Sequence, residues 1–345
     1  MSGGVVFETE EVKRIIQKFA LEAKQQIPIN FQRKKKRVIV IAGPTCCGKT
    51  AMAIELAAAM DGEVISADSM QVYRGMDIGT AKVTTEERLI VPHHLIDIRD
   101  IHESYNVVDF YYEARQQCQQ IIDRGHVPIV AGGSGFYLHA LIYGPPSGPP
   151  SLPELRKTLE IEMDQLGSEA LYLRLLELDP QYAKSITKND KQKIVRALEI
   201  ITLTHKKVSK LPWKGRRKPQ NFDFQCWFLH RPKDVLYQRI NERCDRMLKD
   251  GFLEEVKKLD QMGLRDNHSA SQAIGYRQAL DFLSTDQSEA EYLKFVSQFK
   301  QATRNYAKRQ FTWFQKRRED FRWVDVDMHD HEVVFEMIRN EYERL

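Results

Sequence analysis

The sequence predicts an α/β fold: a mainly parallel sheet flanked by helices, with a small all-helical insertion. Short apolar runs typical of buried strands alternate with helical segments, and this alternation favours a parallel sheet covered on both faces. A glycine-rich loop joins the first apolar run to an apolar helix. A proline- and glycine-rich break at residues 144–153 then separates this pattern from a purely helical stretch.

Four apolar runs are the expected strands of the sheet. They are VIVIA from residue 38, EVISA from residue 63, VPIVAGG from residue 127 and FQCWFLH from residue 224. The helix after the first run, TAMAIELAAAM, is almost entirely apolar and stops at Asp61 and Gly62. A second helix over residues 109–125 carries an apolar stripe that includes Cys118, so Cys118 is expected in the core.

The proline-rich breaks divide the chain into predicted regions. Helices over residues 153–167 and 168–179, and a third that begins with Asn189 as its N-cap, are expected inside the insertion. Residues 205–218 and 300–318 interleave cations with aromatic side chains, which suits RNA, although a solvated loop and an amphipathic core helix explain the same pattern. The predicted regions are an N-terminal tail of unassigned function at 1–36, an α/β catalytic core at 37–144 and 221–325, the helical insertion at 145–220, and a C-terminal helix or tail at 326–345.

The composition indicates a globular protein of the cytoplasm. Of the 345 residues, 42% are hydrophobic and 29% charged, and no stretch is apolar and long enough for a membrane span or a signal peptide. The five cysteines show no CxxC spacing, so they are expected to be free thiols in a reducing compartment. No membrane partner is expected.

The segment GPTCCGKT, from Gly43 to Thr50, has the spacing of a loop that binds phosphates through its backbone amides. A strand precedes it and a helix follows, as such loops require. Lys49 would hold the outer phosphate oxygens, and the Thr50 hydroxyl would bind Mg²⁺. The remaining members of the predicted phosphate site are Pro44, Thr45, Cys46, Cys47 and Gly48.

Two further polar elements follow predicted strands. Asp68 begins the segment DSMQVYRGMDIGTAK, and Ser134 lies in the turn AGGSG. Ligands of parallel sheets bind at the carboxyl ends of the strands, so both side chains should face the phosphate loop. Ordinary roles remain open, because Asp-Ser suits a cap or turn and glycines are common in turns.

A kinase or ATPase would need another acidic residue after an apolar strand to orient Mg²⁺. Asp97 in HLIDI is a weak candidate for that residue, because the polar His93 and His94 precede it. The two histidines have no companion ligands at metal spacing and are expected to be structural.

Seven motifs in order resemble those of the bacterial-type tRNA dimethylallyltransferase (tRNA isopentenyltransferase) family, from about Val38 to Trp323. They are GPTxxGKT, DSMQVYRGMDIGTAK, PHHLIDI, VAGGSGFYL, NDKQKIVRALE, QAIGYRQ and TRNYAKRQFTWF. The resemblance implies a P-loop kinase-like core and a monomeric enzyme whose loop holds the diphosphate of dimethylallyl diphosphate, although ATP is also attributed to this loop. The implied acceptor is N6 of the adenosine 3′-adjacent to the anticodon in tRNAs reading codons that begin with U, and the insertion would clasp the anticodon stem-loop.

The resemblance also implies roles for particular residues. Asp68 would be the general base for a weakly nucleophilic adenine amine, assisted by Lys49 and Ser134. The adenosine must leave its stack to reach the site. Serine stands at 134 where the family commonly has threonine, and lysine at 193 where it commonly has arginine. The implied tRNA contacts are Asp68, Ser69, Met70, Gln71, Ser134, Arg156, Asn189, Asp190, Lys191, Gln192, Lys193, Ala273, Ile274, Gly275, Tyr276, Arg277 and Gln278.

Three other functions stay open on the sequence. An adenylate dimethylallyltransferase would use the same loop and Asp68 on free adenine nucleotides, but a basic insertion favours a polymeric acceptor. A small-molecule kinase would form ADP and leave the DSMQ segment unexplained. A non-catalytic RNA-binding module would leave the phosphate loop without a role.

Overall fold

The computed structural model describes residues 36–146, 148–149, 151–211 and 221–344. The predicted N-terminal tail and most of the second proline-rich break, including the cations at 214–218, lie outside the described residues. Within the described residues, six parallel strands form one sheet in the order β3-β2-β4-β1-β5-β6. The strands are β1 (Lys36–Ala42), β2 (Gly62–Ser66), β3 (His93–His94), β4 (Val127–Gly132), β5 (Phe222–His230) and β6 (Arg322–Asp325). The predicted α/β fold with a parallel sheet is confirmed.

The register of the sheet brings the chemistry-bearing loops to one edge. β1 lies at the centre, and its last residue, Ala42, stands level with Gly132 of β4 and Phe228 of β5. Ser66 of β2 is level with Ala131. Because parallel strands all end at the same edge, the turns after β1, β2, β4 and β5 face one another.

Helices cover both faces of the sheet and fill the rest of the core. The first, α1, begins at the end of the phosphate loop and buries five side chains, from Met52 to Ala57. The core helices are α1 (Lys49–Ala59), α2 (Thr85–Ile90), α3 (Val107–Asp123), α4 (Gly135–Tyr143), α8 (Lys233–Lys249), α9 (Phe252–Gln261), α10 (His268–Ser271), α11 (Tyr276–Leu283), α12 (Glu289–Gln315) and α13 (His331–Glu343). Among the described residues, no helix combines the length and apolar character needed to cross a bilayer.

The residues between β4 and β5 have a hydrophobic cluster of their own. Its buried side chains run from Leu159 to Val208, separate from the main core. Its helices are α5 (Pro153–Leu178), α6 (Pro180–Ala183) and α7 (Lys191–Thr204). Gly167 interrupts α5 with φ 84° and ψ 160°, so two helices meet there, as the sequence predicts.

Two buried acids tie this cluster together. Glu199 of α7 is fully buried and accepts hydrogen bonds from the Ser151 hydroxyl (2.6 Å), the Leu152 amide (2.7 Å) and Arg196 (2.6 Å). Burial alone would raise the pKa of this carboxyl, but these donors outweigh burial and hold its pKa below the usual value. Asp179 caps α6 and accepts the Ser209 amide at 2.8 Å.

Three local predictions need correction. The N-cap of α7 is Asp190, one residue beyond Asn189. The short strands β3 and β6 were not expected, because runs of two and four residues carry too little periodicity to be recognised. β5 also begins two residues earlier than predicted, at Phe222 instead of Phe224. The predicted burial of Cys118 is confirmed, and burial raises the pKa of its thiol to about 12.

Candidate active site

The phosphate loop has the conformation that its glycines predict. Gly43 has φ 154°, and a Cβ there would lie 2.3 Å from the Leu229 carbonyl oxygen, so glycine is required. Gly48, with φ 103°, leads directly into α1. The Lys49 ammonium donates to the Pro44 carbonyl at 2.8 Å, across the loop, and the exposed Thr50 lies in the first turn of the helix. The loop therefore presents an ammonium, a hydroxyl and a helix N-terminus at one point.

Arginines from β5 onward surround this loop. Arg239 of α8 donates to the Cys46 carbonyl at 3.1 Å, Arg243 donates to the Thr45 hydroxyl, and Arg231 donates to the Cys47 carbonyl at 3.3 Å. Arg231 is neutralised by Asp327. Within the described residues, Lys49, Arg239 and Arg243 form no ion pair with a carboxylate, so three unpaired cations stand beside the loop. Such a cluster suits a diphosphate.

Gln310, in the middle of α12, connects two of the turns at the sheet edge. Its Oε1 accepts the Thr45 amide (2.9 Å), and its Nε2 donates to the Gly133 carbonyl (2.9 Å). The side chain is buried, and a Cβ at Gly133 would lie 2.1 Å from the Gln310 amide nitrogen. Gln310 was not among the site residues predicted from the sequence. A glutamine on a mostly apolar helical stripe with Phe299, Ala307 and Phe314 was the available signal.

Asp68 lies at the end of β2, half-buried at the edge that carries the phosphate loop. Its Oδ1 accepts the amides of Met70 (2.8 Å) and Gln71 (3.4 Å), which fixes the carboxylate in a turn. No other described residue hydrogen-bonds to its Oδ2. The turn and catalytic interpretations are therefore compatible, because one oxygen holds the turn and the other is available to a substrate.

The neighbouring positions divide between structure and cavity. Gln71 accepts from the Ser66 hydroxyl (2.8 Å) and donates to the Thr80 and Ala81 carbonyls (3.2 and 3.4 Å), so its amide is already occupied. Ser69 and Met70 line a cavity next to Asp68. These residues stand beside the expected acceptor position, and their contact with RNA remains a prediction.

Ser134 begins α4 without capping it through its side chain. Its hydroxyl lies beside the Tyr306 phenol of α12. Burial raises the pKa of Tyr306 to about 12, and the Asp68 carboxylate adds to the rise. Tyr306 thus provides a neutral hydroxyl near Asp68 and Ser134. It lies on α12, and the local sequence pattern does not predict that this helix contacts the turns that carry Asp68 and Ser134.

Two adjoining cavities meet at Asp68. The smaller, of about 250 Å³, is polar and lined by the phosphate loop, Arg239 and Gln310. The larger, of about 330 Å³, is lined on its apolar side by Met70, Met247 and Phe299. The residues common to both are Thr45, Asp68, Thr80, Arg243 and Tyr306. A carboxylate at the junction of an anion-binding cavity and a partly apolar one is placed to act between two substrates.

The predicted RNA contacts at 273–278 are only partly on the wall of the larger cavity. Ala273, Ile274 and Tyr276 line it. Tyr276 is fully buried, and the Gln278 side chain accepts the Gly275 amide at 2.8 Å, so both are engaged inside the protein. Arg277 is exposed.

The predicted RNA contacts of the insertion differ in accessibility. Asn189, Lys191, Gln192 and Lys193 are exposed around the start of α7, where Lys193 pairs with Asp190 at 3.1 Å. Arg156 is partly buried and pairs with Glu160 along α5.

Arg196 does not share the exposed surface of Lys193. It donates to the buried Glu199 and to the Pro149 carbonyl (2.5 Å), so it belongs to the insertion's internal structure.

The cationic helix predicted at 300–318 has two faces. Its buried stripe includes Gln310, while a shallow outer groove is lined by Lys308, Arg309, Trp313 and Lys316. The Arg317 guanidinium lies 4.0 Å from the Trp313 ring centroid. Arg309 also lines the larger cavity, so the outer groove leads to the site. The core-helix interpretation holds for the buried face, and RNA binding by the outer face stays a prediction.

Asp97 and His94, from the PHHLIDI motif, form ion pairs or hydrogen bonds away from the phosphate loop. Asp97 binds Lys82 (2.6 Å) and Arg88 (2.7 Å). Burial would raise the pKa of Asp97, but these cations outweigh it and lower the pKa. His94 pairs with the buried Glu63. Within the described ranges, no three histidine, cysteine, aspartate or glutamate side chains form a cluster that could hold a metal ion.

The fold and the site together define a class: an α/β enzyme with a glycine-rich phosphate-type loop and a carboxylate at the same carboxyl edge of a parallel sheet. The chain belongs to the IPP transferase family, whose family model matches residues 71–317. A protein from Protochlamydia amoebophila named tRNA dimethylallyltransferase is 71% identical over 345 residues, covering 100% of both chains. One of that name from Chlamydia felis is 48% identical and covers 89% of this chain and 90% of its own.

Solved structures agree with this assignment. The crystal structure of a full-length tRNA isopentenylpyrophosphate transferase from Bacillus halodurans has a TM-score of 0.65 at 40% identity, covering 90% of this chain and 96% of that one. A eukaryotic dimethylallyltransferase acting on tRNA has a TM-score of 0.69 at 31% identity, covering 84% of this chain and 73% of that one. The family resemblance stated from the motifs is confirmed.

Proposed function

We propose that this chain transfers a dimethylallyl group from dimethylallyl diphosphate to N6 of the adenosine 3′-adjacent to the anticodon, in tRNAs that read codons beginning with U. The products are N6-dimethylallyladenosine in tRNA and diphosphate. Family membership and the 71% identical tRNA dimethylallyltransferase support the reaction. The site observation that carries the proposal is Asp68 at the junction of an anion-binding cavity and a partly apolar one.

The polar cavity fits the diphosphate. Lys49, Arg239 and Arg243 supply positive charge without internal carboxylate partners among the described residues, and the loop amides of Gly43–Thr50 supply donors. As the C–O bond breaks, negative charge grows on the bridging oxygen, and these fixed donors stabilise that charge. The adjoining Met70, Met247 and Phe299 offer an apolar surface for the dimethylallyl carbons.

The larger cavity fits the acceptor base. An adenine amine is weakly nucleophilic because its lone pair is delocalised into the ring, so removal of its proton as the C–N bond forms accelerates transfer. Asp68 is the proposed general base, acting through the oxygen that does not hold the turn. Tyr306 lines this cavity and is placed to orient the adenosine, and Ser134 would act through its contact with Tyr306. The base enters after leaving its stack in the anticodon loop.

Mg²⁺ fits this arrangement as a companion of the diphosphate. Mg²⁺ keeps several waters and needs only one or two protein ligands when phosphates supply the others. Thr50 lines the polar cavity and would provide a hydroxyl ligand beside the oxygens of the diphosphate. When bound, the ion neutralises part of the charge on the leaving diphosphate.

We infer that RNA is held by two surfaces. One is the outer groove of α12, with Lys308, Arg309 and Lys316 around Trp313. The other is the start of α7 in the insertion (residues 145–220), where Lys191 and Lys193 are exposed. Both present cations to solvent, and the groove of α12 adds the Trp313 ring, on which an unstacked base could pack. A monomer working in the cytoplasm, where tRNA is used, completes the proposal.

The proposal is tested with radiolabelled dimethylallyl diphosphate and Mg²⁺, offered in parallel an anticodon stem-loop, AMP, or no acceptor. A stem-loop with guanosine in place of the target adenosine is the matched control. We expect label in the adenosine stem-loop alone. Label in AMP instead would identify an adenylate dimethylallyltransferase, and ADP formed from ATP with a small-molecule acceptor would identify a kinase.

A further inference from the structure

The loop at 77–80 separates and shapes the two cavities. Thr80 lines both of them, and Gly79 lines the larger. Gly79 packs so closely on Phe252 and Tyr276 that a Cβ would lie 2.3 and 2.6 Å from their rings. Gln71, two residues from Ser69 on the neighbouring wall, reaches the Thr80 carbonyl. The position of this loop therefore decides the width of the space next to Asp68.

Glu255 of α9 holds this loop from behind with both carboxylate oxygens. Oε2 accepts the amides of Asp77 (2.9 Å) and Ile78 (2.7 Å), while Oε1 accepts the Gly79 amide (3.1 Å) and the Tyr276 phenol (2.6 Å). Three successive amides converging on one carboxylate are strong, charge-assisted hydrogen bonds. They fix the loop in one conformation from a helix almost 180 residues further along the chain (178 residues from Asp77).

We propose that Glu255 is a positioning residue for prenyl transfer: it holds the 77–80 loop so that the acceptor adenine sits against Asp68. This inference rests on the proposed function. Glu255 lines neither cavity, so it acts through the loop and through Tyr276. Loss of Glu255 should therefore change the geometry of the bound acceptor. Glu255 does not contact the phosphate loop, so binding of the donor should be unchanged.

The test compares Glu255→Gln with Glu254→Gln, an exposed glutamate one position earlier on the same helix. Glutamine at 255 keeps the size of the side chain. In either orientation of its amide group, the NH₂ faces at least one backbone amide of the 77–80 loop, so at least one of the hydrogen bonds is lost. Purified full-length variants are assayed for the single-turnover rate at saturating donor and stem-loop, the stem-loop Kd and the donor KM.

We expect the single-turnover rate of Glu255→Gln to fall on the order of tenfold, as for loss of a charged hydrogen bond. The stem-loop Kd and the donor KM should stay within about twofold of wild type by the same reasoning. Glu254→Gln should match wild type in all three. A purely structural role would lower the active fraction and leave the rate per folded molecule unchanged, so an unchanged rate in folded Glu255→Gln overturns the inference.

Tyr276→Phe decides the matter if Glu255→Gln does not fold at the assay temperature. It removes one of the four donors and keeps the ring in place. A several-fold lower rate at unchanged affinities supports the inference, and a wild-type rate overturns it. The wild-type reaction distinguishes failure of this inference from failure of the proposed function. If wild type labels no stem-loop, the proposed function is refuted. If wild type and Glu255→Gln label the stem-loop at equal rates, only the role of Glu255 is refuted.

Discussion

Replacing Asp68 with asparagine isolates proton removal from the other work of this side chain. In the structure, Oδ1 accepts the Met70 and Gln71 amides, whereas Oδ2 has no hydrogen-bond partner among the described residues. The asparagine carbonyl can keep the hydrogen bonds of Oδ1. The turn should therefore survive while the free oxygen becomes an NH₂ group that cannot accept a proton.

The expected loss is about 10²–10⁴-fold in the rate of transfer, the usual contribution of a positioned general base. This corresponds to about 3–5.5 kcal/mol of barrier. Retention of the turn predicts little change in thermal stability, in the stem-loop Kd or in the donor KM. The rate is measured in a single turnover with enzyme in excess, so that product release does not mask the chemical step.

Asp100→Asn is the matched control. This carboxylate pairs with Arg74 at 2.8 Å on the exposed surface, where such pairs contribute little. It should react at the wild-type rate. A single-turnover rate for Asp68→Asn within about threefold of wild type would remove Asp68 from the mechanism, because a base of average efficiency contributes far more.

The remaining predictions concern the donor loop, its support and the RNA surface. Lys49→Ala and Thr50→Ala should each slow transfer, because loss of one donor to the leaving group raises the barrier by about 3–4 kcal/mol. Gel shifts without dimethylallyl diphosphate should show an unchanged stem-loop Kd. A large rise in that Kd would mean that the loop holds RNA phosphates. Gln310→Leu should lower the free energy of unfolding by about 1–3 kcal/mol in urea titrations and raise the donor KM, because the Thr45 amide and Gly133 carbonyl lose their partner; an unchanged donor KM would limit Gln310 to stability. Lys191→Gln with Lys193→Gln should weaken stem-loop binding and lower its log–log salt slope by about 0.7–0.9 for each RNA phosphate that the protein no longer neutralises, with turnover at saturating RNA unchanged; an unchanged slope would show that these lysines only face solvent. Arg196→Gln should instead destabilise the protein, since Glu199 would be left buried without its cation.

The parts of the site that follow strands could be predicted from sequence. The phosphate loop, Asp68 and Ser134 each stand directly after an apolar run, and parallel strands bring their carboxyl ends together. The helix break at Gly167 and the burial of Cys118 were predictable for a different reason: turn chemistry and helical periodicity are local properties of the sequence.

The supports of the site lie beyond local pattern. Gln310, Arg243 and Glu255 contact residues 265, 198 and 176–178 positions away. The sequence around these three residues does not indicate which loops at the sheet edge their helices contact. Gln310 leaves the clearest trace, since a polar residue on a buried stripe needs partners. Glu199 is likewise an acidic residue on a buried helical stripe and needs partners. Arg196, three residues earlier, is one of them, which places Arg196 in the interior of the insertion.

The residues opposite the phosphate loop decide which reaction the site performs, because the loop only requires an anion. In a phosphoryl-transfer enzyme a second carboxylate after an apolar strand orients the metal, and Asp97 was the candidate here. Lys82 and Arg88 neutralise Asp97 instead, which leaves Asp68 as the carboxylate shared by both cavities. On its other side lie Met70, Met247 and Phe299, a surface that attracts carbon and offers little to a second phosphate. A diphosphate therefore fits the polar cavity as the leaving group, and an apolar chain fits the larger cavity as the group transferred, with Asp68 at the junction of the two cavities.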